Sequence, residues 1–389
     1  MDKVRVGIIG CGAFAKAEHL PNCYKNPKIE ISWCCSRSQS NRDYAEKKYH
    51  PRKLTPNADD VFQDPSCDMV ILAVPHNLHL EMIEKAAQHK KHILCEKPMS
   101  MNTLESYRIV KAVQKAGVKL CVDYNRRFAP SILDLKNTYL KHHSDPQPTP
   151  WKFMQTSGRE VLEEEKTSML MININDESST YRPVHIDYVK GGGQIIGEGC
   201  HWLDLSCYIL EDEPISISAT GSSRMNYIIT MEFRTGHKAC IFFSSNGTFD
   251  YPKELYHLTD NGALFVNHCF TENEFYGLGE PMRKIYPLQF DDLPETGKEG
   301  GVLGYVSKLH ERAKIYAASG KKKWIDLAPD KGHYNLLDSF LDSIIKDAPS
   351  PVNEIDGSRA TYLSMRAIES IRLGKPLPVN QEDYNFFVA

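Results

Sequence analysis

The strongest constraint on this chain is an alternation confined to its first 125 residues, where short apolar runs at Val4–Ile9, Ile29–Cys35, Met69–Val74, His92–Cys95 and Lys119–Val122 are separated by helical patterns. Apolar runs of this length, without polar alternation, suit strands covered on both faces. Strands spaced by helices imply βαβ units feeding one parallel sheet. Residues 1–125 are therefore expected to form a doubly wound α/β domain.

Beyond residue 125 the pattern changes. A helix is expected over Pro130–Lys141, followed by the proline-rich stretch Pro146-Gln147-Pro148-Thr149-Pro150. The alternating segments Tyr227–Phe233 and Lys238–Phe243 read as antiparallel strands, and Asn261-Gly262 is the dipeptide that favours a two-residue hairpin turn. Helical patterns return at Val302–Ala318, His333–Lys346 and Gly357–Leu373, the last closed by Gly374-Lys375-Pro376. Residues 126–389 thus read as one α+β domain.

Charge and cysteine usage narrow the partners. A net charge of −3 leaves no footprint for nucleic acid or an anionic membrane, so a small molecule is the expected partner. Residues 1–125 carry 19 basic and 14 acidic side chains against 28 and 36 in the remainder, an asymmetry that suits phosphate binding by the first domain. The opening apolar run is too short for a signal peptide, and no segment reaches the roughly 18 apolar residues of a membrane span. Eleven cysteines scattered without a C-x-x-C pair argue against a disulfide framework or a cysteine zinc site. A reducing, cytoplasmic setting is expected.

Directly after the first strand stands Gly10-Cys11-Gly12-Ala13-Phe14-Ala15. A G-x-G-x-x-A between strand and helix supplies a tight turn at Gly10, close approach of a pyrophosphate at Gly12, and a small residue at Ala15 for packing. At the end of the second strand an acidic residue would accept from an adenosine 2′-hydroxyl; this chain instead reads Cys35-Ser36-Arg37-Ser38. Ser36 and Ser38 can donate there, and Arg37 with Arg42 can pair a 2′-phosphate, which favours NADP over NAD. The alternative is that Arg37 stacks on adenine and either cofactor is accepted. At the end of a later strand comes Cys95-Glu96-Lys97-Pro98-Met99, where burying an ionised pair merely for stability would be costly.

Three segments together carry a resemblance: Ala73-Val74-Pro75-His76-Asn77-Leu78-His79, then Glu96-Lys97-Pro98, then Tyr124-Asn125-Arg126-Arg127-Phe128. They resemble the Gfo/Idh/MocA oxidoreductases, strongly through residue 130, again at Gly191 to Leu210, and faintly between Phe249 and Trp324. The resemblance implies an N-terminal Rossmann domain and a C-terminal domain whose large, mainly antiparallel open sheet builds the substrate pocket and joins a homodimer or homotetramer. It implies hydride transfer at a secondary alcohol or ketone carbon of a sugar, cyclitol or glycoside. By the same analogy Ala73, Pro75, Asn77, His79 and Asn125 join the cofactor site, Glu96 binds the nicotinamide ribose, Lys97 touches the reacting hydroxyl, and Lys97-Pro98 is a candidate cis bond.

A second match, Gly191-Gly192-Gly193 through Gly197-Glu198-Gly199-Cys200-His201-Trp202-Leu203-Asp204, looks like the glycine-rich turn and catalytic helix of that family. Many members carry an Asp four residues before the His. This chain has Gly197 there and Glu198 one place later, so either Glu198 substitutes from a shifted angle or His201 and Lys97 work without a carboxylate. His201 is the expected general base, because imidazole accepts and returns a proton near neutrality, with Lys97 sharing that role if desolvated. Asp204, three residues on, can fix its tautomer. Arg126, Trp151, Tyr181, Arg182 and Trp202 can line a sugar pocket, or equally serve the core or an interface. No metal is expected: His76 with His79, and Cys200 with His201 and Glu198, lack the remaining ligands. Two rival readings are a glycoside-cleaving enzyme that oxidises its sugar transiently with a tightly held cofactor, and a catalytically silent cofactor-binding sensor or scaffold.

Overall fold

The computed structural model describes residues 3–146, 167–177, 187, 189–248, 253–289, 301–318 and 328–386. The apolar runs of the first part become β1 (Val4–Ile9), β2 (Ile29–Cys35), β4 (Met69–Leu72), β5 (His92–Cys95) and β6 (Leu120–Val122). Between them lies β3 (Lys53–Thr55), whose three residues are too few to show a hydrophobic period. All pair in parallel in the order β3-β2-β1-β4-β5-β6. The order reverses between β1 and β4, and there the helices leave on opposite faces and open a crevice at the carboxyl ends of the strands. Gly10 stands at that mouth with φ of +99°; a Cβ on it would lie 2.1 Å from the carbonyl oxygen of Ala73, so only glycine fits.

The second sheet has nine strands. β7 (Met169–Asn175), β8 (Pro214–Gly221), β9 (Tyr227–Phe233), β10 (Lys238–Ser244), β11 (Glu254–Asp260), β12 (Ala263–His268), β13 (Glu272–Tyr276) and β14 (Met282–Ile285) lie in the order β14-β13-β12-β11-β7-β10-β9-β8, with Leu377–Pro378 at the edge. Pairing is antiparallel throughout except between β7 and β10. The expected hairpin joins β11 to β12, with Asn261 and Gly262 at φ of 46° and 85°, the positive pair a type I′ turn requires.

Alternation decides which face is buried. Tyr227, Ile229, Met231 and Phe233 of β9, with Leu170, Ile172 and Ile174 of β7, point inward against helices Pro130–Ser144 and Cys200–Leu210. Each such side chain contributes about 1.5–3 kcal/mol by leaving water. The two cores share helix Glu354–Leu373, with Ala360 in the first and Leu363 and Ala367 in the second; helix His333–Ile345 adds Leu336, Leu337, Phe340 and Leu341 to the first. Helix Glu354–Leu373 begins three residues before the expected Gly357, because Asn353 and Asp356 form a capping box that extends its first turn. All eleven cysteines are free, and among the described residues no helix is long and apolar enough to cross a membrane.

Candidate active site

Four segments meet at the crevice: the Gly10 loop, the turn after β4, the end of β5, and the glycine-rich turn of the second domain. Gly12 caps the short helix Ala13–Ala17, and among the described residues nothing lies within 4 Å of where its Cβ would stand, a cradle open to a phosphate. Ala15 is buried and Phe14 half exposed, its ring edge-on to His19 at 5.5 Å and to His333 at 5.6 Å.

At the end of β2, Arg37 is exposed, and the Ser38 and Ser40 hydroxyls lie 2.9 Å apart. Arg42 is spent differently from the expectation. Its guanidinium donates to the carbonyls of Ser36 and Arg37 and to the side chain of Gln39, so it braces the loop, while Arg37 has no ion-pair partner among the described residues. No carboxylate sits on Cys35-Ser36-Arg37-Ser38.

The turn after β4 (His76–Leu78) places Asn77 on the surface, while His79 is completely buried. Its ring nitrogens face the carbonyls of Pro98, at 2.8 Å, and Val74, at 3.1 Å. This corrects the expectation of cofactor contact: His79 ties two strand ends together, and burial holds its pKa below the usual value. Asn125 is likewise turned inward, donating its amide to the carbonyl of Lys331 at 2.8 Å. The Lys97-Pro98 bond is cis, as the sequence suggested.

Glu96 accepts from or donates to His19 Nε2 at 2.7 Å, and the Asp123 carboxylate lies beside it. Two buried carboxyls cannot both ionise. Burial and the Asp123 charge push Glu96 well up, whereas burial alone would raise Asp123 but the His333 charge holds it down to about 2. Sequence reading missed His19, Asp123 and His333, since no local period marks side chains that meet through the fold. Among the described residues His19, Glu96 and Asp123 are also the one group with ligand atoms close enough for a cation, all within 4.8 Å. The expectation of no metal rested on spacing along the chain, which does not register this trio. The His19–Glu96 hydrogen bond engages two of the three, while Asp123 Oδ1 is buried without a hydrogen-bond partner among the described residues.

Lys97 reaches across to the second domain, donating to the Gly197 carbonyl at 2.9 Å and to Glu198 Oε1 at 2.6 Å. Burial would raise Glu198, but Lys97 and then Lys253 hold its carboxyl down to about 2. Residues Ile195–Gly199 form a π-helical turn that runs into helix Cys200–Leu210, and this irregular turn carries Gly197 and Glu198 toward the lysine. His201 follows on the helix, only 4% exposed, with its ring edge against Tyr124 and its Nδ1 without a partner among the described residues. Burial, then the charges of Arg126 and Lys97, keep its pKa well below the usual value, so the imidazole is neutral.

Three expectations are corrected here. Asp204 does not orient His201: its carboxylate is gripped by Arg127 at 2.8 and 2.5 Å. Arg126 does not face a substrate, because Glu254 engages its guanidinium at two atoms, 2.8 and 2.6 Å away, both side chains being buried. Trp202 is wholly buried and donates its indole N–H to the same Glu254 at 3.1 Å. In each case a buried charge has to be paired, and the fold supplies the pair internally. Trp151, Tyr181 and Arg182 lie outside the described residues.

The chain is similar to known proteins in sequence and in fold. The profile of the oxidoreductase family with an NAD-binding Rossmann fold matches residues 4–124. The chain is 29% identical over 269 residues to an uncharacterized oxidoreductase of Bacillus subtilis, covering 65% of this chain and 70% of that protein. It is 24% identical over 278 residues to the myo-inositol 2-dehydrogenase of Thermotoga maritima, covering 68% and 75%. An oxidoreductase of Agrobacterium radiobacter, solved in complex with NAD+, L-tartaric acid and magnesium, superposes with a TM-score of 0.74 at 15% identity over 97% of this chain and 98% of that one, a likeness of fold.

Proposed function

Because the chain belongs to the Gfo/Idh/MocA oxidoreductase family, dehydrogenases acting on CH–OH groups, we propose that it oxidises a secondary hydroxyl of a sugar, cyclitol or glycoside, or reduces the matching ketone, with NADP preferred to NAD. The observation that carries this reading is the position of Lys97, which stands at the mouth of the crevice beside Glu198 while the Gly10 loop opens on the same edge.

The residues present fit a dinucleotide. Gly12 offers the open cradle for its phosphates, and Arg37 is an exposed cation where the adenosine ribose of such a ligand ends. When bound, the nicotinamide supplies hydride acceptance or donation at its C4. The chain's own groups do the rest. Lys97 Nζ donates to the substrate oxygen and stabilises negative charge on it, while Glu198 keeps the ammonium aimed. His201, held neutral by burial and nearby cations, accepts the hydroxyl proton and returns it in the reverse direction.

The outer face of the second sheet supports a homo-oligomer. Phe242 of β10 is cross-strand to Ile228 of β9, and both, with Met169 and Met171 of β7, are exposed on that face. A second copy of the sheet would cover them.

The deciding experiment is a panel of aldoses, cyclitols and glycosides with NAD+ and NADP+, read by absorbance of the reduced nicotinamide. Turnover of a polyol with either cofactor is the expected result; none on any substrate, with cofactor binding intact, would favour the silent sensor. Repeated turnover without added cofactor would favour the glycoside-cleaving alternative.

A further inference from the structure

His76 is a polar group at the crevice that the reaction above leaves unused. It starts the turn after β4, on the first domain, yet its Nδ1 lies 2.9 Å from the carbonyl oxygen of Gly191 on the second. A carbonyl only accepts, so Nδ1 carries the proton and Nε2 is left with a bare lone pair. That Nε2 has no hydrogen-bond partner among the described residues and is not among the sealed, unpartnered atoms, so it stays open to solvent.

The surroundings keep the ring in this state. Burial, then His79 and Lys97, push the His76 pKa down to about 3, so the imidazole is neutral across the physiological range. Gly197 makes the place for it: a Cβ there would lie 3.6 Å from His76 Cε1 and 3.3 Å from the Gly191 oxygen, so a larger side chain would press on the ring and on the carbonyl that orients it. The Gly197 carbonyl accepts from Lys97 on the same turn. His76, Lys97 and Glu198 therefore share one small volume, in which Lys97 can only donate and His76 Nε2 can only accept.

We infer that His76 is a specificity-determining residue, whose Nε2 accepts a hydrogen bond from a substrate hydroxyl neighbouring the one held by Lys97. The inference rests on the dehydrogenase reading and deepens it: the favoured substrate carries a free hydroxyl beside the carbon that is oxidised. A deoxy analogue at that carbon would leave the lone pair desolvated and unpaired, which is the strongest form of discrimination a polar site has.

The probes are myo-inositol and D-glucose, each with its monodeoxy analogues. For wild type, His76→Ala and His76→Gln, kcat and KM are measured with the cofactor that the wild type prefers, after melting curves have established that the variants fold. The wild type should prefer the parent polyol over the analogue lacking the neighbouring hydroxyl. His76→Ala should erase about tenfold of that preference, the value of one net hydrogen bond, chiefly through KM. His76→Gln, whose side-chain oxygen accepts, should restore part of it. An unchanged preference in His76→Ala overturns the inference while leaving the dehydrogenase reading intact. A second readout needs no turnover: in protein with 15N-labelled histidine, the unprotonated Nε2 resonance of His76, assigned by its loss in His76→Gln, should shift on adding the parent polyol to the cofactor-loaded protein and not on adding the deoxy analogue. If that shift occurs in a protein that oxidises nothing, the contact stands and the dehydrogenase reading falls; if neither polyol shifts it, the contact falls.

Discussion

Lys97 and Glu198, 101 residues apart in sequence, close a 2.6 Å ion pair that joins the carboxyl end of β5 to the π-helical turn of the second domain. Lys97→Met should leave folding and cofactor affinity largely unchanged and lower turnover by roughly 10²- to 10⁴-fold, the range of a proton-handling group at the reacting oxygen. Steady-state kinetics beside cofactor titration check this, and near wild-type turnover would remove Lys97 from the mechanism.

Glu198 contacts Lys97, and no hydrogen bond joins it to His201. His201→Asn should accordingly harm kcat far more than Glu198→Gln, and the acid limb of the pH-rate profile for alcohol oxidation should disappear with the imidazole. Should Glu198→Gln be the more damaging of two folded variants, proton transfer belongs to the carboxylate.

Arg37 is exposed and Arg42 is committed to the loop's carbonyls. NADP(H) should then bind more tightly than NAD(H), and Arg37→Ala should erode the difference by about 1.5–3 kcal/mol, the worth of a charge-assisted hydrogen bond. Fluorescence titration with both cofactors decides; a clear NAD preference in the wild type would show that the loop does not read a 2′-phosphate.

Arg126 and Glu254 are both buried and bonded at two points, and Trp202 donates to the same carboxylate. Arg126→Ala strands that carboxylate and should cost about 3–5 kcal/mol in urea denaturation. A loss below 1 kcal/mol, on the order of an exposed pair, would mean that water reaches the site and that Arg126 is available to a ligand.

Acid should destabilise the fold beginning near the unfolded histidine pKa of about 6.5. His76, His79 and His201 all have pKa values lowered first by burial, so the unfolded chain binds protons that the folded chain refuses. Their contribution is complete above that value and falls away below it, by about 1.4 kcal/mol per pH unit for each histidine. Glu198, depressed to about 2, adds a second loss as the pH drops from the ordinary glutamate range toward that value. His333, raised by Asp123 against the opposing effect of burial, contributes stability that is complete below the unfolded value and is lost only above it, so it leaves this acid slope unchanged. Urea midpoints at pH 7, 6 and 5 should fall in order, and a flat series would contradict the assignment of neutral buried imidazoles.

The parallel sheet, the Gly10 loop, the Asn261-Gly262 hairpin and the strand-end position of Lys97 were all legible in the sequence. Each depends on a period or a turn chemistry spanning a few residues, and such signals survive without knowing what packs against them. β3 escaped because three residues carry no period, and the start of helix Glu354–Leu373 was misjudged because a cap moved it.

The partners of the buried charges were a different matter. Helical spacing puts Asp204 on the same side as His201, yet the carboxylate goes to Arg127, because a guanidinium always carries its charge and offers two parallel donors whereas a neutral imidazole offers at most one. Arg126 finds Glu254 across 128 residues, and His76 finds the Gly191 carbonyl across 115. The sequence by itself determined which faces are apolar and where the glycines must bend, since those follow from neighbours along the chain. Which cation meets which carboxylate, and which of them stays free for a ligand, was decided only when the two sheets and the helix they share brought distant segments together, because a buried charge takes the best partner within a few ångströms in space, whatever its distance in sequence.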